Sequence, residues 1–168
     1  MIKGIGIDLV KNKRMFDLIT KNEGRFESSF IKKILHEDEI IEYNSLINNN
    51  ISDIHCKKKA QFLSSRWAIK EALVKATSNK SLIYSLVKIK KDYNNKPTLL
   101  IDYNNKNYID NLENKINNKK LIDKNKLNLE IKQTLLKMED LSKNNLFLIS
   151  LSHEDEYTTA VVIMTSYI

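Results

Sequence analysis

Apolar positions change their spacing several times along the chain, and each change marks an element. Ile2 to Val10 alternates, with Ile5, Ile7 and Leu9 on one face and Gly4, Gly6 and Asp8 on the other, which predicts a strand. A short helix follows from Lys13 to Ile19, carrying Met15, Phe16, Leu18 and Ile19. Phe26, Phe30, Ile31 and Ile34 keep helical spacing. His36-Glu37-Asp38-Glu39 reads as a turn and capping region before a helix with Ile40, Ile41, Tyr43 and Leu46, and Asn48 to Ser52 reads as a loop. Phe62 to Ala76 has no Gly or Pro and is rich in Ala, Leu, Lys and Glu, so it predicts the central helix, with Phe62, Ile69, Leu73 and Ala76 toward a core.

Beyond this helix, Tyr84 to Ile89 and Thr98 to Tyr103 read as two strands, and Asn94-Asn95-Lys96-Pro97 as the turn of a hairpin. Tyr108, Leu112 and Ile116 outline a weakly amphipathic helix, and Ile131, Leu135, Met138 and Leu141 another. Asn117 to Asn128 is Lys/Asn-rich and is expected to be mobile. Leu146 to Leu151 and Tyr157 to Met164 are the last strands, joined by Ser152-His153-Glu154-Asp155. No internal repeat or domain boundary interrupts the order. It predicts one α+β domain over 1–168 with a mostly antiparallel sheet and a Lys/Asn-rich insertion around 104–146.

Composition narrows the class. The 168 residues are 42% hydrophobic and 29% charged, as expected of a soluble globular protein large enough to bury a core. Net charge is +7 and pI about 9.3, which favours an acidic partner. No aromatic-glycine RNA motif or basic stripe accompanies the charge, so a nucleic-acid-binding module is the weaker reading, alongside a non-catalytic assembly subunit. Cys56 is the single cysteine, which excludes an intramolecular disulfide and fits a reducing compartment. No run of about 18 apolar residues is present to span a membrane. Met1-Ile2-Lys3-Gly4 runs directly into the first strand and is not a signal peptide. The expected location is the cytoplasm, with a plastid-like organelle as the alternative if a leader has been removed.

Three features carry candidate chemistry. Asp8 sits on a strand whose two glycines leave room for a ligand or another backbone, or else it caps the helix that follows. Glu71 and Lys75 lie one turn apart on the central helix, which makes them either a solvated ion pair or part of a site. Ser152-His153 lies in a strand connection. Two carboxylates suit Mg²⁺, a hard ion that keeps water and phosphate oxygens in its shell, and Lys75 suits a phosphate. That is equipment for phosphoryl-type transfer. Ser152, His153 and Asp155 are too close in sequence to form a hydrolase triad, and no nucleophile elbow is present. The Gly-x-Gly lacks the third glycine of a dinucleotide fingerprint.

The chain resembles the holo-acyl-carrier-protein synthases, small phosphopantetheinyl transferases. The resemblance is carried by Gly4-Ile5-Gly6-Ile7-Asp8-Leu9-Val10, Arg14, the block Phe62…Arg66-Trp67-Ala68-Ile69-Lys70-Glu71-Ala72…Lys75-Ala76, Lys96-Pro97, and Ser150-Leu151-Ser152-His153-Glu154 with Tyr157 and Ala160. It implies transfer of 4′-phosphopantetheine from coenzyme A to a serine of apo acyl carrier protein, releasing adenosine 3′,5′-bisphosphate, in fatty acid biosynthesis. It also implies that Asp8 and Glu71 hold Mg²⁺, that Lys75 contacts the transferred phosphate, and that Arg66 and His153 lie at the nucleotide end. Arg14 is implied to meet the carrier protein. Sites between the subunits of a homotrimer are implied as well, which accommodates Arg66 pointing away from Glu71 on the helical wheel. Where the family has a Gly-Thr-Gly turn around the cofactor, this chain has Thr77-Ser78-Asn79-Lys80, leaving Ser78 or Lys80 as substitutes. Lys11, Lys13, Arg14, Lys32 and Lys33 are expected to form the carrier-protein dock.

Overall fold

The computed structural model describes residues 1–21, 26–46, 53–117 and 124–167. Strand β1 (Ile2–Lys11) leads into helices α1 (Asn12–Thr20), α2 (Glu27–Ile34), α3 (Glu37–Ser45) and the long α4 (Asp53–Thr77). A 3₁₀ turn (Tyr84–Leu86) precedes β2 (Val87–Lys91) and β3 (Pro97–Ile101); α5 (Lys106–Asn117), α6 (Lys124–Asn144), β4 (Asn145–His153) and β5 (Tyr157–Ser166) complete the order. The strands form a sheet in the order β1-β5-β4 and a separate β2-β3 hairpin, and every pairing is antiparallel. The fold is α+β, as the residue pattern predicts.

Helix α4 is the hub. The periodicity assigns it one apolar face, but it is buried nearly all round: Leu63, Ala68, Ile69, Lys70, Ala72 and Leu73 are all at 1% exposure or less, whereas Phe62 is only half-buried. Small residues at Ser64, Ala68, Ala72 and Ala76 repeat every four positions, and the last two face β1. A Cβ on Gly6 would stand 1.9 Å from the Ala72 carbonyl oxygen, and one on Gly4 2.0 Å from that of Ala76. The two glycines thus serve a backbone-to-backbone approach of strand and helix, one of the two uses their spacing allows.

Two polar clusters join the smaller helices to this hub. His36 is the N-cap of α3 in a capping box with Glu39: its Nδ1 accepts from the Asp38 amide, and its own amide donates to Glu39 Oε2 at 2.9 Å. Glu39 is 1% exposed and also accepts from the Ile89 amide (3.0 Å) and from Lys70 Nζ (2.6 Å). Lys70, fully buried, donates as well to the carbonyl of Ile34 at the end of α2 (2.6 Å). Burial outweighs the pull of Glu39 and lowers the Lys70 ammonium to about 8. In the second cluster, Glu27 of α2 accepts from Tyr43 of α3 (2.6 Å) and from Lys59 of α4 (2.9 Å).

Three sequence expectations are corrected. Tyr84 to Leu86 is a 3₁₀ turn rather than the start of a strand. His153 ends β4 instead of lying in the connection. The Lys/Asn-rich stretch is entered by helix from both sides: α5 runs to Asn117 and α6 begins at Lys124, while 118–123, like the whole of the predicted loop at 48–52, falls outside the described residues. Helix α6 earns its order through Met138, fully buried, with Leu135 and Leu141 packed on the core. No described helix is long and apolar enough to cross a membrane.

Candidate active site

β1 and α4 build the site by the same close approach. Alternation on β1 turns Asp8 to the face that Gly4 and Gly6 use to meet α4. Lys75 reaches across: its Nζ donates to Asp8 Oδ1 and to the Ile7 carbonyl, both at 2.8 Å. The Glu71–Lys75 surface pair open to the helix does not form. Glu71 instead accepts from the Tyr84 hydroxyl through Oε1 at 2.7 Å. Asp8 does not cap α1 either, since α1 starts at Asn12 behind Lys11, which makes no side-chain cap.

Tyr84 is bonded to Glu71 and lies within the field of Asp8. Its hydroxyl is pushed above the ordinary tyrosine range, first by burial, then by its bond to Glu71, and also by the charge of Asp8. The hydroxyl therefore stays a neutral donor to Glu71. Asp8 and Glu71 come from different elements and offer hard oxygen donors only, and no three or more His, Cys, Asp or Glu are grouped so as to hold a metal ion by themselves among the described residues. Such a pair fits Mg²⁺, which completes its octahedron with water and phosphate oxygens, and it does not fit a closed structural zinc site.

The other predicted residues lie apart from this centre. Arg66 is 9% exposed and points to α3: Nη2 donates to Glu42 Oε2 at 2.9 Å, Nε stands 3.4 Å from Glu39 Oε1 without hydrogen-bond geometry, and the guanidinium lies 4.0 Å over the Phe62 ring. Within one chain it is not brought to Asp8 and Glu71, in keeping with the helical wheel. His153 is exposed at the end of β4, with Nδ1 2.9 Å from Gln61 Nε2. The turn that follows it is clamped by Asn12, whose Nδ2 donates to the carbonyls of Glu154 (3.0 Å) and Asp155 (3.2 Å). Arg14 is exposed on α1. The expected basic dock is divided. Lys11 and Lys13 line a cleft of about 660 Å³ with Lys57, Lys58 and the acidic Glu154 to Glu156 turn. Lys32 and Lys33 line another of about 720 Å³ with Lys80 and Tyr84.

The stretch that replaces the glycine turn closes without glycine. Ser78 takes the left-handed conformation at φ 52°, Thr77 Oγ1 accepts from the Asn79 amide (3.3 Å), and Asn79 Oδ1 accepts from the Ser81 amide (3.1 Å). Sequence reasoning missed Tyr84 and Lys70. A tyrosine opening an apolar run looks like a strand residue, and a lysine in a Lys-rich helix looks solvated.

A carboxylate on a glycine-spaced strand, locked to a Glu-x-x-x-Lys helix within an antiparallel α+β fold, defines a transferase of the phosphopantetheinyl kind. The chain belongs to the 4′-phosphopantetheinyl transferase superfamily, whose sequence profile matches residues 4–125. It is 37% identical over 100 residues to the holo-[acyl-carrier-protein] synthase of Mycoplasma capricolum, covering 59% of this chain and 73% of that protein. It is 35% identical over 103 residues to that of a Geobacillus strain, covering 60% and 76%. A putative holo-[acyl-carrier-protein] synthase of Schizosaccharomyces pombe, 40% identical over 81 residues, is matched over 60% of its length. Over its full length the chain has the fold of the Plasmodium yoelii acyl carrier protein synthase solved with ADP bound, with a TM-score of 0.66 at 22% identity and 98% of that chain covered.

Proposed function

We propose that this protein is a holo-acyl-carrier-protein synthase, transferring 4′-phosphopantetheine from coenzyme A to a serine of apo acyl carrier protein and releasing adenosine 3′,5′-bisphosphate. The observation that carries the reading is that β1 and α4 place Asp8 against Lys75 at 2.8 Å, one helical turn from Glu71, whose carboxylate is held by the Tyr84 hydroxyl at 2.7 Å. Asp8 and Glu71 would hold Mg²⁺, which when bound neutralises pyrophosphate charge. Lys75, exposed at its tip and able to swing from Asp8, supplies a point charge to the phosphoryl group that moves. In the transfer the serine oxygen forms a bond to phosphorus as the bond to the nucleotide phosphate breaks, and the chain's share is to orient these groups and balance their charge. The coenzyme A complexes of the Bacillus anthracis and Helicobacter pylori synthases support the choice of donor.

The single copy leaves an apolar stripe on the outer sheet face: Ile5, Ile7 and Leu9 are 56%, 58% and 62% exposed, Ile163 and Val161 pair beside them, and Leu146 and Leu148 extend the stripe. This face supports association of copies, and we propose the homotrimer that the resemblance implies, with Arg66 and His153 serving the nucleotide end at a shared site. Arg14 would dock the acidic carrier protein. We further propose that the whole chain is one transferase domain into which α5 and α6 are inserted, working in fatty acid biosynthesis in the cytoplasm or, after removal of a leader, in a plastid-like organelle.

Intact-protein mass spectrometry of apo acyl carrier protein with coenzyme A and Mg²⁺ tests the function. The expected result is a gain of one phosphopantetheine, lost with Asp8→Asn or Glu71→Gln, each of which removes a charged oxygen ligand and keeps the shape. No gain with a folded wild-type protein overturns the reading, and near-normal turnover of either variant overturns the metal assignment. Arg14→Glu is expected to raise the carrier-protein KM at unchanged coenzyme A KM, and light scattering to report three chains. The positive charge alone does not favour nucleic acid, because the convergent groups at the site are carboxylates.

A further inference from the structure

Glu71 is one of two carboxylates at the centre of the proposed site, and its orientation is set by a residue that no motif singles out. Tyr84 lies 13 positions beyond it, at the start of the 3₁₀ turn. In a strand, Tyr84 and Leu86 would share a face. The turn separates them, so that Leu86 enters the core at 0% exposure while Tyr84 swings to α4. The turn is pinned on both sides: the Leu86 amide donates to the Ile83 carbonyl (3.1 Å), and the Asp102 amide donates to the Leu86 carbonyl (2.7 Å). The ring is pinned too. The Trp67 ring meets Tyr84 nearly edge-on, at 5.9 Å and 84°, and Trp67 itself stacks on Phe30 at 5.4 Å. A chain of aromatic contacts thus runs from α2 through α4 to the hydroxyl.

We propose that Tyr84 is a positioning residue for Glu71, its hydroxyl holding Oε1 and leaving Oε2 free for the metal that Glu71 and Asp8 would hold. The inference rests on the reading of Glu71 as a metal ligand. A carboxylate on a helix surface can rotate about three side-chain torsions, and a metal that binds it must then fix them all. A hydroxyl already bonded to one oxygen removes most of that freedom before the metal arrives, and the bond to an ionised acceptor is of the stronger kind. Outer partners of this sort are typically worth about 10–100-fold in metal affinity or activity. A residue that only fills space would do the same work as phenylalanine.

Tyr84→Phe therefore tests the hydroxyl alone. Binding of Mn²⁺ to the full chain at fixed coenzyme A, read from the electron paramagnetic resonance of free Mn²⁺, is compared for wild type, Tyr84→Phe, Glu71→Gln and the double variant. The expected results are an affinity about tenfold weaker for Tyr84→Phe, a transfer rate that recovers as Mg²⁺ is raised, and no further loss on adding Tyr84→Phe to Glu71→Gln. Wild-type Mn²⁺ affinity in Tyr84→Phe, with binding lost in Glu71→Gln, overturns the positioning role and leaves the metal assignment standing. Wild-type affinity in Glu71→Gln overturns that assignment, and the role of Tyr84 with it. If Tyr84→Phe melts below the assay temperature, Trp67→Phe keeps the hydroxyl and loosens the ring: weakened Mn²⁺ binding supports the proposal, and unchanged binding overturns it.

Discussion

Removing the Lys70 ammonium tests how the site is anchored, because this residue ties α4 to α2 and α3 one position before Glu71. In Lys70→Met the hydrophobic stem stays and the charge goes. Glu39, 1% exposed, loses its 2.6 Å partner, and the Ile34 carbonyl loses its donor. Breaking a buried pair from one side typically costs about 3–5 kcal/mol. The low end applies here, since Glu39 keeps the His36 and Ile89 amides and has Arg66 beside it. About 3 kcal/mol in a chain of this size lowers Tm by roughly 6–12 °C. The desolvation of Lys70 also makes a prediction in pH. The unfolded chain keeps the proton up to about 10.5, whereas the folded protein releases it near 8. Between those values the unfolded state binds more protons, so the Lys70 contribution to unfolding free energy rises with pH; below 8 both states are protonated and the contribution is flat. The difference between wild type and Lys70→Met, measured by urea unfolding from pH 7 to 10, should therefore widen with pH. The partner change Glu39→Gln should destabilise as well, and the double variant should cost less than the sum, with a coupling on the order of 1–3 kcal/mol. A Lys70→Met protein within about 1 kcal/mol of wild type, with additive double-variant behaviour, would refute the buried pair.

Two backbone predictions follow from opposite local demands. Gly6→Ala places a methyl 1.9 Å from the Ala72 carbonyl oxygen, so β1 and α4 must part; a loss of about 3 kcal/mol or more is expected in urea unfolding, with transfer falling as Asp8 moves from Lys75. Ser78→Gly relieves a left-handed residue at φ 52° and should stabilise by about 0.5–1 kcal/mol, part of the relief being offset by the freer unfolded chain.

What was legible in the sequence is what local pattern determines. The β1 alternation, the helix over Phe62 to Ala76 and the antiparallel ending can be read because side chains alternate on strands and repeat on helices, although α4 starts earlier, at Asp53. Asp8, Glu71 and Lys75 could be grouped because they sit on those regular elements. The true pairing could not be read. Lys75 has Glu71 one turn away, yet it binds Asp8, 67 residues distant in sequence, because Gly4 and Gly6 put no Cβ between the strand and the helix. Lys70 and Glu39 are 31 residues apart and each reads as surface on its own helix; only the enclosure of α4 on nearly all sides makes them core. The same reasoning explains the insertion. The spacing of Leu135, Met138 and Leu141 predicts the helix that docks there, but the Lys/Asn composition ahead of it hides that α6 begins as early as Lys124.

The placing of glycine gives the clearest link from composition to site. The chain has three glycines in 168 residues, and two of them, Gly4 and Gly6, stand on one strand. Turns that commonly take glycine do without it here: Ser78 supplies the left-handed residue after α4, and Asn95 supplies the one in the β2-β3 turn at φ 61°. Both are positions where a short polar side chain tolerates positive φ, and the neighbouring side chains of Thr77, Asn79 and Asp92 bond to the turn amides. No such substitution is open to β1. What Gly4 and Gly6 provide there is space rather than a backbone angle, and any side chain would occupy the volume held by the carbonyls of Ala72 and Ala76. A sequence this poor in glycine therefore retains it at the contact that brings Asp8 within reach of Lys75. Strand–helix distance, more than any single charged residue, is the quantity on which the proposed site depends.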